Sequence, residues 1–267
     1  MDNNGKYVLI TGATSGIGYE LAKLFAKDKY NLIAVARDSD ALQAIASEME
    51  QQYGIQVISI AKNLFKRESP FELYDEVRSR GIFVDVLVND AGQGVYGEFV
   101  DTDISRELDI IQLNIGAYVI LTKCFLKDMV SRKQGKILNV GSIAGEAPGP
   151  FHSVYHGTKA FVNSWSEAIR NEVKDKGVTV TVLLPGATDT DFFNKADMEN
   201  SKIVQEGSLA DAKTVAKDGY EALMAGDDKV ISGLKNKAQV LMANLMPDEM
   251  AAKNMAKQQE PVDKSKR

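Results

Sequence analysis

The sequence has one cysteine, two histidines, one tryptophan and six prolines in 267 residues. A lone Cys124 cannot close an internal disulfide, and without a CxxC pair or a Cys/His cluster no metal site is expected. Cys124 falls in the apolar run 118–129, which reads as a buried helix position rather than a reactive thiol. No stretch approaches eighteen uninterrupted apolar residues, so no membrane span is expected. The first residues, MDNNGKYVLITG, lack the charged, apolar and small-residue sections of a secretory signal, which makes the cytoplasm the expected compartment. Charge of one sign is not in large excess either. A net charge of -5 gives no attraction for phosphate backbones or anionic bilayers, so neither nucleic acid nor a membrane is an expected partner, and a small molecule is.

What is present is an ordinary globular composition, 44% hydrophobic and 26% charged. Short β-branched runs at 7–10, 31–36, 56–60, 84–88, 136–140 and 178–184 alternate with longer amphipathic segments. That alternation predicts an α/β fold with a doubly wound parallel sheet, Rossmann-like, of about seven strands with helices on both faces. Residues 1–246 read as one domain, containing a polar loop at about 188–207 long enough to be a lid. Residues 247–267 read as a last helix and a flexible tail without chemistry. The Met-rich stretch Leu241 to Met255 reads as core packing, with a greasy substrate entrance as the alternative.

The first strand runs directly into Thr11-Gly12-Ala13-Thr14-Ser15-Gly16-Ile17-Gly18, and a helical segment follows. Glycines there let a backbone turn tightly and bring free N–H groups at a helix N-terminus up to a pyrophosphate. Any tight turn between a strand and a helix uses glycine too, so the pattern alone is weak. At the second strand end stands Arg37-Asp38, about twenty residues further on as the fold requires. A guanidinium at that point holds a 2′-phosphate, which favours NADP over NAD. The alternative is a solvated pair with Asp38 capping a helix. Asn63 and Leu64 at the third strand end, and Asn89, Ala91 and Gly92 at the fourth, lie on the same carboxyl edge.

Ser142 closes the fifth strand, and thirteen residues later Tyr155-His156-Gly157-Thr158-Lys159 opens a helical run. A four-residue spacing puts Tyr155 and Lys159 on one helix face, where the ammonium is expected to lower the phenol pKa. His156 is expected to point away from Tyr155 and His152 to border a substrate mouth. Taken singly, Ser142 could be a turn residue, and Tyr155 with Lys159 an ordinary amphipathic pair.

In their order and spacing the glycine turn, Asn89-Asp90-Ala91-Gly92, Asn114, Ser142, Tyr155 with Lys159, and Pro185-Gly186 resemble the short-chain dehydrogenase/reductase family over roughly residues 5–190. The resemblance implies an oxidoreductase moving a hydride between NADP(H) and a carbonyl or secondary alcohol. It implies Tyr155 as general acid or base, Ser142 on the substrate oxygen, Lys159 on the nicotinamide ribose and Asn114 holding a relay water. It also implies that Pro185, Gly186, Thr188 and Thr190 contact the nicotinamide carboxamide. A polar Asn114 could instead satisfy a neighbouring backbone carbonyl. Two positions depart from the family pattern: Asn63 stands where Asp is common, and Asp90 where a second Asn is common. An Asn63 amide can still accept from an adenine amino group. Trp165 and Phe161 form a packing or subunit-contact stripe, and the resemblance implies a homodimer or homotetramer. Two other functions share these motifs, a non-catalytic NADP-binding sensor and an epimerase or dehalogenase. Intact Ser142, Tyr155 and Lys159 count against the sensor, and the intact glycine turn counts against the dehalogenase.

Overall fold

The computed structural model describes residues 3–262. Seven parallel strands form one sheet in the order β3-β2-β1-β4-β5-β6-β9. They are β1 (Tyr7–Thr11), β2 (Asn31–Ala36), β3 (Val57–Ala61), β4 (Val84–Asn89), β5 (Gly135–Val140), β6 (Val178–Leu184) and β9 (Lys229–Ile231). Helices α1 (Gly16–Lys27), α2 (Ser39–Tyr53) and α9 (Ala212–Ala225) cover one face. Helices α3 (Ser69–Ser79), α5 (Ala117–Arg132) and α6 (Ser153–Val173) cover the other.

Both faces of the strands are therefore buried, which is why these segments are near-continuous apolar runs rather than alternating ones. On one face Leu21 and Phe25 of α1 and Met49 of α2 are fully buried; on the other, Leu73 of α3 and Met129 of α5 are. Each such side chain contributes roughly 1.5–3 kcal/mol of transfer free energy. Local signals set the helix starts. Asp38, Asp103 and Asp211 accept backbone N–H bonds at the N-termini of α2, α4 (Ile104–Ile111) and α9. Left-handed Gly54 and Gly226 end α2 and α9.

Strand order reverses between β1 and β4, whose carboxyl ends part and open a crevice. A chain of buried amides and hydroxyls stiffens its floor. Asn89 donates to Thr122 Oγ1 (3.0 Å) and Asn139 Oδ1 (2.9 Å), and Asn139 donates to Ser166 Oγ (2.9 Å), tying β4 and β5 to α5 and α6. Such a network is stable because nearly every member has a partner.

The structure differs from the expectations above in several places. Helix α4, a π-helical turn (Gln112–Gly116) and α5 run on as one rod, Ile104–Arg132, that by length and composition alone could cross a membrane. Here Leu113, Ala117, Leu121 and Phe125 pack it under the sheet. Cys124 on α5 is half-buried rather than buried, and desolvation raises its thiol pKa. The 188–207 region is not a bare loop. It holds β7 (Thr188–Asp189), paired with β8 (Ala210–Asp211), and the short helices α7 (Phe192–Lys195) and α8 (Lys202–Gln205). These close over a small core of Phe193, Ala196 and Met198.

The Met-rich stretch is not core. On α10 (Leu234–Leu245) Leu241 is 62% exposed and Leu245 79%, and at the start of α11 (Asp248–Gln259) Met250 is 53% exposed. Only Ala251 and Met255, towards its far end, are buried. The C-terminal segment packs back onto the body of the protein. Lys202 N–H donates to Glu260 O (3.1 Å), Val262 N–H to Asn200 O (2.8 Å), and the Tyr96 hydroxyl to Gln259 O. The expected tail at 263–267 lies outside the described residues.

Candidate active site

A continuous cleft of about 1520 Å³ runs along the carboxyl ends of the strands, larger than the roughly 300–1,000 Å³ of an ordinary small-molecule pocket. One end is lined by Gly12, Thr14, Ser15, Gly16 and Ile17 of the turn between β1 and α1. Gly16 has φ +56°, and a Cβ there would meet Thr190 Cγ2 at 2.8 Å. At Gly18 a Cβ would sit 2.4 Å from Gly12 O and 2.5 Å from Asp90 Oδ2. Side chains are excluded at Gly16 and Gly18, leaving backbone N–H groups at the N-terminus of α1 in an anion-binding arrangement. A dinucleotide pyrophosphate fits that cradle.

Past the turn, Arg37 lines the cleft with its guanidinium 5.2 Å from the Phe65 ring centroid; Arg106 lies at the same distance from that ring. Asp38 is occupied as a helix cap, its Oδ1 accepting the Asp40 and Ala41 N–H groups. Leu64, Ala91 and Gly92 line the adjoining wall.

The other end gathers Ser142, Tyr155 and Lys159. β5 ends two residues before Ser142, and α6 starts two before Tyr155, so sheet and helix bring the pair together. Ser142 Oγ donates to Pro185 O (3.4 Å) and, beside Tyr155, favours the ionised phenol. Its other bonds position it: Oγ accepts Ala144 N–H (3.0 Å), and Asn163 Nδ2 donates to Ser142 O (3.0 Å). Lys159 is 3% exposed, donates to Val140 O (2.7 Å) and lies 5.8 Å from the Tyr155 ring centroid. Desolvation pushes the ammonium down to about 8, partly offset by Asp90. Desolvation also pushes the Tyr155 phenol up to about 12, despite the lowering influence of Ser142. The expected lowering by Lys159 is not among the forces on the phenol, and Tyr155 carries its proton at neutral pH.

The remaining expected residues divide. Pro185, Gly186, Thr188 and Thr190 line the cleft, Thr188 Oγ1 donating to Gly186 O (2.9 Å). Asn63 does not line it: the residue is exposed and its Oδ1 accepts Phe65 N–H (3.2 Å), which shapes the turn. Asn89 is committed inside the sheet, as described above. Asn114 sits in the π-helical turn, a feature found often at functional sites. Its Nδ2 donates to Gln93 O (2.9 Å) and Thr158 Oγ1 (3.0 Å), and Oδ1 accepts Gln93 N–H (3.1 Å). That leaves only an Oδ1 lone pair for the relay water.

Gln259 escaped the sequence reading, and the structure gives the two expected histidines more specific places. His152 stacks on Tyr155 with ring centroids 4.4 Å apart and 11° between planes. Desolvation pushes its pKa down to about 3, so it packs as a neutral ring. His156 does turn away: Nδ1 faces Ala147 O (2.9 Å) and Nε2 faces Gln259 Nε2 (2.8 Å). Gln259 and Met255 join Phe192, Phe193 and Met198 around the mouth beside Tyr155. Sequence carries no signal for Gln259, whose partner lies 103 residues away.

Comparison with known proteins agrees with this geometry. The sequence is 38% identical over 179 residues to a very-long-chain 3-oxoacyl-CoA reductase of Coprinopsis cinerea, covering 66% of this chain and 52% of the relative. It is 32% identical over 207 residues to the 17-beta-hydroxysteroid dehydrogenase type 3 of Mus musculus, covering 76% and 66%. The chain thus spans about half the length of the first of these relatives. A short-chain dehydrogenase from Sphingobium yanoikuyae, solved in complex with NADPH, superposes with a TM-score of 0.81 at 27% identity, covering 91% of this chain and 96% of that one. A sequence model of the short chain dehydrogenase family matches residues 6–201. With the glycine cradle, Ser142, Tyr155 and Lys159 in one cleft, this chain belongs to the short-chain dehydrogenase family.

Proposed function

We propose that this protein is an NADP(H)-dependent oxidoreductase that reduces a carbonyl on a largely apolar substrate and, in reverse, oxidises the secondary alcohol. The observation that carries this reading is that Ser142, Tyr155 and a buried Lys159 line one end of a cleft continuous with the glycine cradle. Gly12, Gly16, Arg37 and Lys159 would hold the dinucleotide, which when bound supplies or accepts the hydride. Tyr155 and Ser142 serve the substrate oxygen. The Ser142 hydroxyl orients it, and Tyr155 delivers its proton to the oxygen as negative charge develops there; in the oxidative direction the phenolate takes the proton back. A phenol held near 12 is the proton-bearing form that reduction uses. Nothing in this arrangement favours the non-catalytic sensor, since every group the chemistry needs is in place.

Phe192, Phe193, Met198, Leu209 and Met255 wall the mouth. The apolar walls and the relatives named above support an acyl thioester or a steroid-like ketone as the substrate class. The test is initial-rate oxidation of NADPH and of NADH by the purified chain across 3-oxoacyl thioesters, steroid ketones and small aldehydes. Turnover faster with NADPH on the bulky apolar ketones is expected. No turnover with any carbonyl, despite tight cofactor binding, would sink the reading.

Arg37 supports NADP because its neighbour Asp38 is already spent as a helix cap and does not offer its carboxylate to a ribose hydroxyl. Arg37→Asp is expected to weaken NADPH binding by about 1.5–3 kcal/mol, the worth of a charge-assisted hydrogen bond. NADH binding should be spared. Equal NADPH affinity in that variant, by fluorescence titration, would refute the assignment.

Self-association is also proposed. Val100 (83% exposed), Ile104 (63%) and Leu108 (57%) form an apolar stripe with Phe99 on and before α4. Leu108→Asp is expected to shift the chain from dimer or tetramer towards monomer in sedimentation velocity. An unchanged distribution would show that this stripe is not the contact.

A further inference from the structure

The cofactor cradle contains an acid that the chemistry above does not use. Asp90 follows β4 directly and lines the floor of the cleft. Its backbone N–H donates to Thr11 Oγ1 (3.0 Å), which fixes the residue against the end of β1. Its carboxylate reaches under the glycine turn. Oδ2 lies 3.0 Å from where a Gly12 Cβ would stand and 2.5 Å from a Gly18 Cβ, and the Gly18 N–H favours its charged form. Gly18 is in the first turn of α1, so the carboxylate already occupies part of the positive helix end that an anion would use.

The groups facing it are few. From α6 come Lys159, which favours its charged form, and Tyr155, whose pKa Asp90 raises. From α5 comes Tyr118, whose pKa it also raises. Lys159 is the one cation among them, and it already donates to Val140 O. Desolvation by the packed residues outweighs both Lys159 and the Gly18 N–H and holds the carboxyl at about 7. A second anion at the same helix end must push it higher, because like charges in one poorly solvated site disfavour each other.

We infer that Asp90 is a proton-coupled positioning residue of the dinucleotide site: it is protonated when a pyrophosphate rests on the glycine turn and ionised, favoured by the charge of Lys159, when none does. This rests on the dinucleotide reading above. The sign follows from linkage. A group whose pKa rises on binding takes up a proton, and affinity falls as pH climbs above the free-state pKa. Above pH 7, NADPH binding should therefore weaken by up to about tenfold per pH unit until the bound-state pKa is passed.

The experiment is calorimetric titration of NADPH into the full chain and into Asp90→Asn, between pH 7.5 and 9, in two buffers of different ionisation enthalpy. This window lies above the second phosphate pKa, which is near 6. Asparagine keeps an oxygen for the Gly18 N–H, so the turn should survive. The native chain should take up most of one proton near pH 8 and lose affinity as pH rises. Asp90→Asn should bind with little proton uptake and a nearly flat affinity, tighter than the native chain at pH 9. Uptake that persists in Asp90→Asn would assign the proton to Lys159 and overturn the inference, as would native binding without uptake. Failure of both proteins to bind NADPH at any pH would instead overturn the dinucleotide reading on which the inference stands.

Discussion

Tyr155→Phe is expected to lower kcat for carbonyl reduction by about 10²–10⁴-fold, the usual contribution of a positioned general acid. Only the hydroxyl is removed. The ring keeps its stack on His152 at 4.4 Å and its contact with Phe192 at 5.0 Å, so the pocket wall should stay in place. NADPH binding should be unchanged, because the glycine cradle and Arg37 lie at the other end of the cleft. Steady-state rates beside a fluorescence titration of cofactor separate the two effects. A variant retaining near-native kcat would show that the proton comes from another group.

Gly18→Ala should have the second largest effect, on both stability and cofactor affinity. The added methyl would stand 2.4 Å from Gly12 O, a backbone atom that cannot swing aside, and 2.5 Å from Asp90 Oδ2. Overpacking of this kind costs about 1–3 kcal/mol. Relief requires the turn between β1 and α1 to spread, which misplaces the N–H groups meant for the pyrophosphate; if the same energy is lost from binding, NADPH affinity falls roughly 5- to 150-fold. Gly157→Ala is the control. It lies on α6 between Tyr155 and Lys159, its Cβ would meet nothing within 4 Å, and a helical alanine should stabilise by about 0.5–1 kcal/mol. A lower melting temperature and weaker binding for Gly18→Ala, against a slightly higher melting temperature for Gly157→Ala, are the expected pair. Native-like NADPH binding by Gly18→Ala would mean that the turn tolerates a side chain.

The catalytic set was legible because its spacing is local: Tyr155 and Lys159 are one helical turn apart, and Ser142 follows a strand whose β-branched pattern is plain. What sequence misjudged was the balance of forces on those groups. A cation four residues away suggested a lowered phenol pKa, yet desolvation of Tyr155 dominates, and Lys159 spends a hydrogen bond on Val140 O. Neither Asn89 nor Asn63 lines the cleft, for a related reason. Position at a strand end says which edge a residue occupies, but the direction of its side chain depends on partners such as Thr122 and Asn139 that arrive from elsewhere. Nor could composition distinguish a buried methionine from an exposed one, since Met250 and Met255 belong to one helix and differ only in what packs against them.

The sequence by itself determined the doubly wound sheet, the glycine turn at its first crossover and the Ser142, Tyr155 and Lys159 triplet. Each of these follows from residue periodicity or from motifs only a few residues long, and such short-range rules survive folding unchanged. The tertiary structure alone decided which polar groups face the cleft, that His152 stacks on Tyr155, that α11 returns to close the mouth through Gln259, and that Asp90 lies beneath the cofactor cradle. Those features depend on desolvation and on contacts between segments far apart in the chain, and neither is written in the spacing of neighbouring residues.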